Sequence, residues 1–210
     1  MSETFQRIYL SDASSSVVVD SKKQLSAYDQ AALFPEEREQ LSALSNEFRK
    51  VEFLGVRSLR SELAILSPIL YSESRKPYLN EKQNLFISIS HSKNYCALGS
   101  SSSEIGIDIE EMSPRIERIS ARFVHRDEEK FIGANRLLDL TKIWTMKEAM
   151  FKLNDRLGIE FKTELIIEEQ IGCIYFGKML TEKSWQRVKL ECFQQEDLVI
   201  SACSYTDSLN

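Results

Sequence analysis

The run Ile105-Gly106-Ile107-Asp108-Ile109-Glu110 puts isoleucine at every second position. Strand side chains alternate in direction, so this pattern predicts a strand with two unlike faces. Ile105, Ile107 and Ile109 take one face, and Gly106, Asp108 and Glu110 take the other. Adjacent same-face carboxylates on a strand stand ~7 Å apart, close enough to share a cation. Gly106 leaves that face bare just before them, and room for a ligand to approach is expected there. A half-exposed strand with two solvated acids carries the same pattern.

A second signal is Trp144-Thr145-Met146-Lys147-Glu148-Ala149-Met150-Phe151-Lys152. On a helix Trp144, Glu148 and Lys152 recur every fourth residue and share a stripe. Glu148 then faces a metal while Lys152, one turn on, faces an anion bound to it. An ordinary Glu–Lys pair beside a buried Trp has the same spacing. A third signal is Ile87-Ser88-Ile89-Ser90-His91-Ser92, an apolar strand ending in hydroxyls and an imidazole suited to phosphate oxygens. A strand end rich in turn-forming serines reads the same way. Upstream lie Arg49, Lys50, Arg57, Arg60 and the Arg75-Lys76-Pro77 tripeptide. Positive charge preceding two acidic elements is what a polyphosphate bridged to carboxylates by magnesium requires.

The rest of the chain alternates helix and strand signals. Phe5–Leu10 and Val17–Val19 predict short strands about a Ser-rich turn at Asp12–Ser16. Pro35-Glu36-Glu37 marks a helix start, with acids at the positive end. Leu44, Phe48, Val51, Leu59, Leu63 and Leu66 extend one or two helices to about Leu66, and Pro68 and Pro77 bracket a loop. Strands are predicted at Leu85–Ile89, Tyr95–Leu98 and Ile105–Ile109. Helices are predicted at Ile116–Phe123, Asp127–Ile132 and Leu137–Leu153. Strands return at Leu165–Glu168, Cys173–Phe176, Val188–Phe193 and Leu198–Cys203. Helix followed by strands thus occurs twice, which predicts an α+β chain of two related halves, residues 1–111 and 112–210.

Composition narrows the function classes. The 210 residues carry 27 Lys and Arg against 32 Asp and Glu, a net charge of −5. A nucleic-acid binder needs a basic face, so nucleic acid is not expected as a partner. With 2 His, no site of three imidazoles can be built, and any catalytic metal is expected on oxygen ligands, Mg2+ or Mn2+ rather than zinc. Cys96, Cys173, Cys192 and Cys203 form no CxxC pair and are expected to be reduced thiols of a cytoplasmic protein. MSETFQRIYL shows no basic region before a long apolar run, and the apolar stretches are far shorter than a membrane span. No membrane partner is expected.

Taken in order, Ser90-His91-Ser92, Gly106-Ile107-Asp108-Ile109-Glu110 and Trp144-Thr145-Met146-Lys147-Glu148-Ala149 resemble the Sfp-type 4′-phosphopantetheinyl transferase family. The resemblance spans roughly Arg49 to Lys152. It implies a pseudo-twofold fold of two similar α+β halves with antiparallel sheets and packed helices. It implies transfer of the phosphopantetheine arm of coenzyme A to a serine of an apo acyl or peptidyl carrier protein, releasing adenosine 3′,5′-bisphosphate. In this family Asp108, Glu110 and Glu148 match the magnesium ligands. Lys152 matches the lysine on the pyrophosphate, and Ser90 and His91 the elements near the coenzyme A phosphates. Lys76 stands where the family has the lysine of Gly-Lys-Pro, with Arg75 in place of the glycine. Arg57 lies in a Phe-Leu-x-x-Arg stretch, and Arg49 and Arg57 are both candidate nucleotide contacts. Glu148 is the candidate general base and, with Lys152, forms the catalytic pair.

Two other classes stay open: another magnesium-dependent phosphoryl-transfer enzyme or hydrolase acting on a nucleotide pyrophosphate, and a non-catalytic binding module. A monomer is expected, its two related halves forming the site internally. Arg115, Arg118, Arg122 and Arg126, interleaved with Ile116, Ile119 and Phe123, are expected to form one helical stripe that docks an acidic carrier.

Overall fold

The computed structural model describes residues 5–12, 14–22, 30–79, 84–154 and 156–206, and the chain divides into two compact units, Met1–Ser103 and Glu104–Asn210.

In the first unit β1 (Phe5–Tyr9) and β2 (Ser16–Ser21) precede α1 (Pro35–Ser42) and α2 (Glu47–Arg60). β3 (Ile69–Tyr71), β4 (Pro77–Leu79), β5 (Phe86–His91) and β6 (Tyr95–Ser101) follow. The main sheet has the order β1-β2-β6-β5, antiparallel throughout. Asn46 caps α2 by accepting from the amides of Phe48 and Arg49. Val56 and Leu59, on one face of α2, bury against Val18, Ile87 and Leu98 of the sheet. Each such side chain contributes about 1.5–3 kcal/mol.

The loop expected between Pro68 and Pro77 is instead the hairpin β3–β4. A tight turn closes it: the Arg75 amide donates to the Ser72 carbonyl at 2.9 Å, and the Ser72 amide to the Lys76 carbonyl at 3.0 Å. Arg75 takes φ +65°, the left-handed conformation that glycine adopts without strain. A non-glycine residue there thus keeps a glycine's backbone path.

In the second unit β7 (Ile105–Glu111) leads to α3 (Pro114–Ile119) and two short 3-10 segments, then to α4 (Arg136–Leu153). β8 (Leu165–Ile171), β9 (Ile174–Leu180), β10 (Trp185–Gln195) and β11 (Leu198–Tyr205) complete it. The sheet order is β7-β11-β10-β9-β8, again antiparallel. α4 packs its Leu140, Ile143, Met146, Met150 and Leu153 into a core with Leu165, Ile167, Val188 and Leu190.

The two units share a connection. In one, β2 is followed by α2 and then by the hairpin β5–β6, whose second strand pairs back onto β2. In the other, β7 is followed by α4 and later by the hairpin β10–β11, whose second strand pairs back onto β7. This is the repeated α+β architecture the sequence predicts. The division falls before β7 rather than after Glu111, because β7 pairs along its whole length with β11. Asp108 and Glu110 therefore belong to the same unit as Glu148 and Lys152. Among the described residues no helix is long and apolar enough to cross a membrane.

Candidate active site

Gly106 is where the site begins, and its role differs from the one expected. A Cβ built there would lie 2.0 Å from the Ala149 carbonyl oxygen and 2.7 Å from the Leu153 amide nitrogen. The bare face of β7 is filled by the backbone of α4, not left open for a ligand. That close approach sets Glu148 and Lys152, which flank Ala149 and Leu153 on the helix, beside the acids of the strand. Lys152 Nζ donates to Asp108 Oδ1 at 2.9 Å. On β11, Ser201 stands directly opposite Asp108 in register, and its hydroxyl meets Thr145 Oγ1 of α4 at 2.8 Å. α4 is thus joined to β7 through Asp108 and to β11 through Ser201.

The electrostatics tie the three acids together. Burial pushes the Glu148 carboxyl up to about 7, and the Asp108 charge adds to the rise. Lys152 and Arg115 oppose it, and Glu110 reinforces it. Glu110 is likewise held above the usual carboxylate range by burial and by Asp108, against the pull of Arg115 and a hydrogen bond from the Trp144 indole. Each acid thus feels at least one other across the strand–helix junction. Among the described residues no three His, Cys, Asp or Glu side chains converge closely enough to chelate an ion as they stand. The donor set nonetheless fits a hard divalent cation: three carboxylates, with no nitrogen or sulfur donor among them.

Lys147, between Thr145 and Glu148, is fully buried and faces away from the acids. Its ammonium donates to the Phe123 carbonyl at 2.6 Å and the Phe161 carbonyl at 2.9 Å, and pairs with Glu128 at 2.8 Å. Glu128 also accepts the amides of His125 and Ile167. Sequence spacing marks Lys147 only as part of a motif; its partners lie 14 to 24 residues away, and no local pattern reveals them.

In the first unit the candidate anion contacts separate. Arg49 is exposed on α2 and its Nη1 lies 3.4 Å from His91 Nε2 at the end of β5. Glu52 joins both, at 3.1 Å from Arg49 and 3.5 Å from His91 Nδ1, and also binds Lys22 at 2.9 Å. Ser90 and His91, adjacent on a strand, point to opposite faces. Ser90 is 3% exposed and His91 is exposed, so they do not form the single hydroxyl–imidazole cluster that the sequence suggests. Arg57 is 1% exposed, lies 3.5 Å over the Phe53 ring, and bonds Tyr71, Gln40 and the Ile69 carbonyl beside the Glu37 carboxylate. That guanidinium has no open face for a nucleotide. Lys76 sits at the base of the Arg75 turn, its amide donating to Ser72 Oγ.

The arginine stripe is broken. Arg115 and Arg118 lie on α3, Arg122 ends a 3-10 turn, and Arg126 opens the next after His125 turns extended. The break is made by His125 and Glu128, which cap the new segment reciprocally. Ile116 and Phe123 bury into the core as expected, and all four arginines are exposed.

Every acid and lysine of the strand–helix junction therefore lies on a single stretch of chain. Residues 104–203 match the family model of the 4′-phosphopantetheinyl transferase superfamily. That match covers just under half of the chain, from the residue before β7 into β11. It includes Asp108, Glu110, Glu148, Lys152, Trp144 and Lys147, whereas Arg49, Arg57, Lys76, Ser90 and His91 precede it. No curated protein matches the chain.

Proposed function

We propose that this protein is an Sfp-type 4′-phosphopantetheinyl transferase, moving the phosphopantetheine arm of coenzyme A to a serine of an apo acyl or peptidyl carrier protein. The observation that carries this reading is the Asp108–Glu110–Glu148 set with Lys152 at its edge, inside the stretch that matches the superfamily. Asp108, Glu110 and Glu148 would hold Mg2+, with Mn2+ as a substitute. A bound divalent ion would neutralise charge on the pyrophosphate of coenzyme A.

The chain's own residues supply the remainder. The carrier serine oxygen bonds to the β-phosphorus as the bond from that phosphorus to the bridging oxygen breaks, and adenosine 3′,5′-bisphosphate leaves. Glu148 accepts the serine proton, directly or through a water, from its place on a long helix beside the other two acids. Lys152, a quarter exposed, places an ammonium where charge develops on the leaving phosphate. Arg49 and His91 are the anion contacts on the first unit, with Lys76 a further candidate. The nucleophile belongs to the carrier, so no serine of this chain is assigned one. The exposed arginines of α3 and the following turn offer an acidic carrier local positive charge on a chain of net charge −5. A monomer in the cytoplasm completes the reading.

The test is incubation with coenzyme A, Mg2+ and several apo carrier proteins, read by mass spectrometry. A gain of one phosphopantetheine on the carrier serine, lost in EDTA, is expected. Hydrolysis of coenzyme A without carrier modification would move the protein to another class of phosphoryl-transfer enzyme.

A further inference from the structure

Buried residues of α4 run from Leu140 to Leu153, and at about 3.6 residues per turn they fall on almost every side of the helix. Hydrophobic burial has no direction of its own. It therefore sets where such a helix lies, and only loosely how far it is rolled about its axis. The roll matters for the site. At the ~5–6 Å outer radius of a helix, a roll of about 10° carries a side-chain tip ~1 Å.

Directional bonds fix that angle, and Lys147 makes three of them. A lysine ammonium has three protons to donate. The Phe123 carbonyl takes one at 2.6 Å, the Phe161 carbonyl another at 2.9 Å, and the Glu128 carboxylate the third at 2.8 Å. These acceptors come from three segments: the end of the first 3-10 turn, the loop after α4, and the second 3-10 segment. Glu128 is itself held, accepting the His125 amide at 2.7 Å and the Ile167 amide of β8 at 2.8 Å. Lys147 and Glu128 are each 0% exposed, so water does not compete for these bonds. Thr145, two residues earlier and so on nearly the opposite side of the helix, meets Ser201 of β11. One bond leaves a helix free to pivot about it; bonds on both sides do not.

We infer that Lys147 is a positioning residue: its ammonium, bonded to three segments beside α4, sets the roll of the helix and so the direction in which Glu148 and Lys152 face the acids of β7. This rests on the metal site proposed above and adds what aims two of its side chains. Outer supports of metal ligands are worth about tenfold to a hundredfold in metal affinity.

Titration with Mn2+ alone, free ion counted by electron paramagnetic resonance, separates this role from simple stabilisation. Wild type is expected to bind one equivalent and Asp108→Ala to lose it. Lys147→Met strands the Glu128 carboxylate and should lower the thermal midpoint sharply. Lys147→Met combined with Glu128→Gln removes both charges, and its midpoint should return most of the way to wild type. Its Mn2+ affinity should stay down by about tenfold or more. A residue that only stabilised the fold would recover stability and affinity together. Glu128→Asp keeps both charges and shortens the tie by one methylene; it should fold and weaken Mn2+ in the same direction, and it decides the matter where the double variant does not fold. If the folded double variant, or Glu128→Asp in its absence, binds Mn2+ as tightly as wild type, the positioning role is wrong and the metal site survives. If wild type binds no Mn2+, or Asp108→Ala binds it as wild type does, the metal site itself is wrong.

Discussion

The carbonyl of Ala149 sits where a side chain on Gly106 would have to be, 2.0 Å from the position of an added Cβ. This contact is backbone against backbone, so neither partner can swing away. Gly106→Ala must push α4 off β7, and overpacking of this kind costs about 3 kcal/mol. Urea unfolding should show that loss. Because Glu148 and Lys152 ride on the displaced helix, Mn2+ affinity should fall with it. A Gly106→Ala protein of unchanged stability would mean that strand and helix are not in contact there.

Asp108→Ala and Glu148→Ala should each lose nearly all transfer and stay folded, since each removes one carboxylate from a mutually repelling set. The pH dependence is specific. The folded Glu148 carboxyl titrates near 7, above its ordinary 4.5. Its contribution to stability is therefore complete below about pH 4.5 and is lost as pH rises through about 7. In EDTA, wild type should be less stable at pH 8 than at pH 5.5 by a share that Glu148→Gln abolishes, on the order of 2 kcal/mol. Parallel stability–pH curves for the two proteins would show that Glu148 is not held by burial and its neighbours.

Arg49 and Arg57 should part company on substitution. Arg57→Ala removes a buried guanidinium from the Glu37 carboxylate and opens a void over Phe53, a loss of about 3 kcal/mol. The folded protein should keep its Michaelis constant for coenzyme A. Arg49→Ala, at an exposed position beside His91, should change stability by less than about 1 kcal/mol and raise that constant severalfold. Reversed effects would return Arg57 to the nucleotide site.

Arg75→Gly should stabilise. The left-handed conformation costs a non-glycine residue about 1–2 kcal/mol, and glycine's greater freedom in the unfolded chain returns part of that. A net gain of about 0.5–1 kcal/mol, a rise of roughly 2–3 °C in thermal midpoint, is the expected reading. A lower midpoint would show that the arginine side chain holds the turn.

Changing Arg118 and Arg122 together to Glu should raise the Michaelis constant for an acidic carrier, most at low salt, with that for coenzyme A unchanged. Arg115 is left out because its charge already acts on Glu110 and Glu148. An altered coenzyme A constant in the double variant would assign those arginines to the nucleotide.

Local sequence determined much of this protein. Period-two alternation locates β7 and divides its faces, because strand geometry leaves a residue only two directions. Period-four spacing puts Trp144, Glu148 and Lys152 on one stripe of α4, because helix geometry is equally local. The order of strands and helices, and their repetition in two units, follows from the same two periods. What tertiary structure decided are contacts between residues far apart in the chain. Gly106 reads as an opening and is a packing surface, since only the fold lays Ala149 on it. Arg57 reads as a ligand contact and is buried, since Glu37 and Phe53 reach it from another helix and from its own preceding turn. Lys147 reads as one more charge beside Glu148. Burial, with two carbonyls and one carboxylate gathered from three distant segments, turns it into a clamp, and spacing along the chain carries no trace of which distant groups a folded chain will bring around one ammonium.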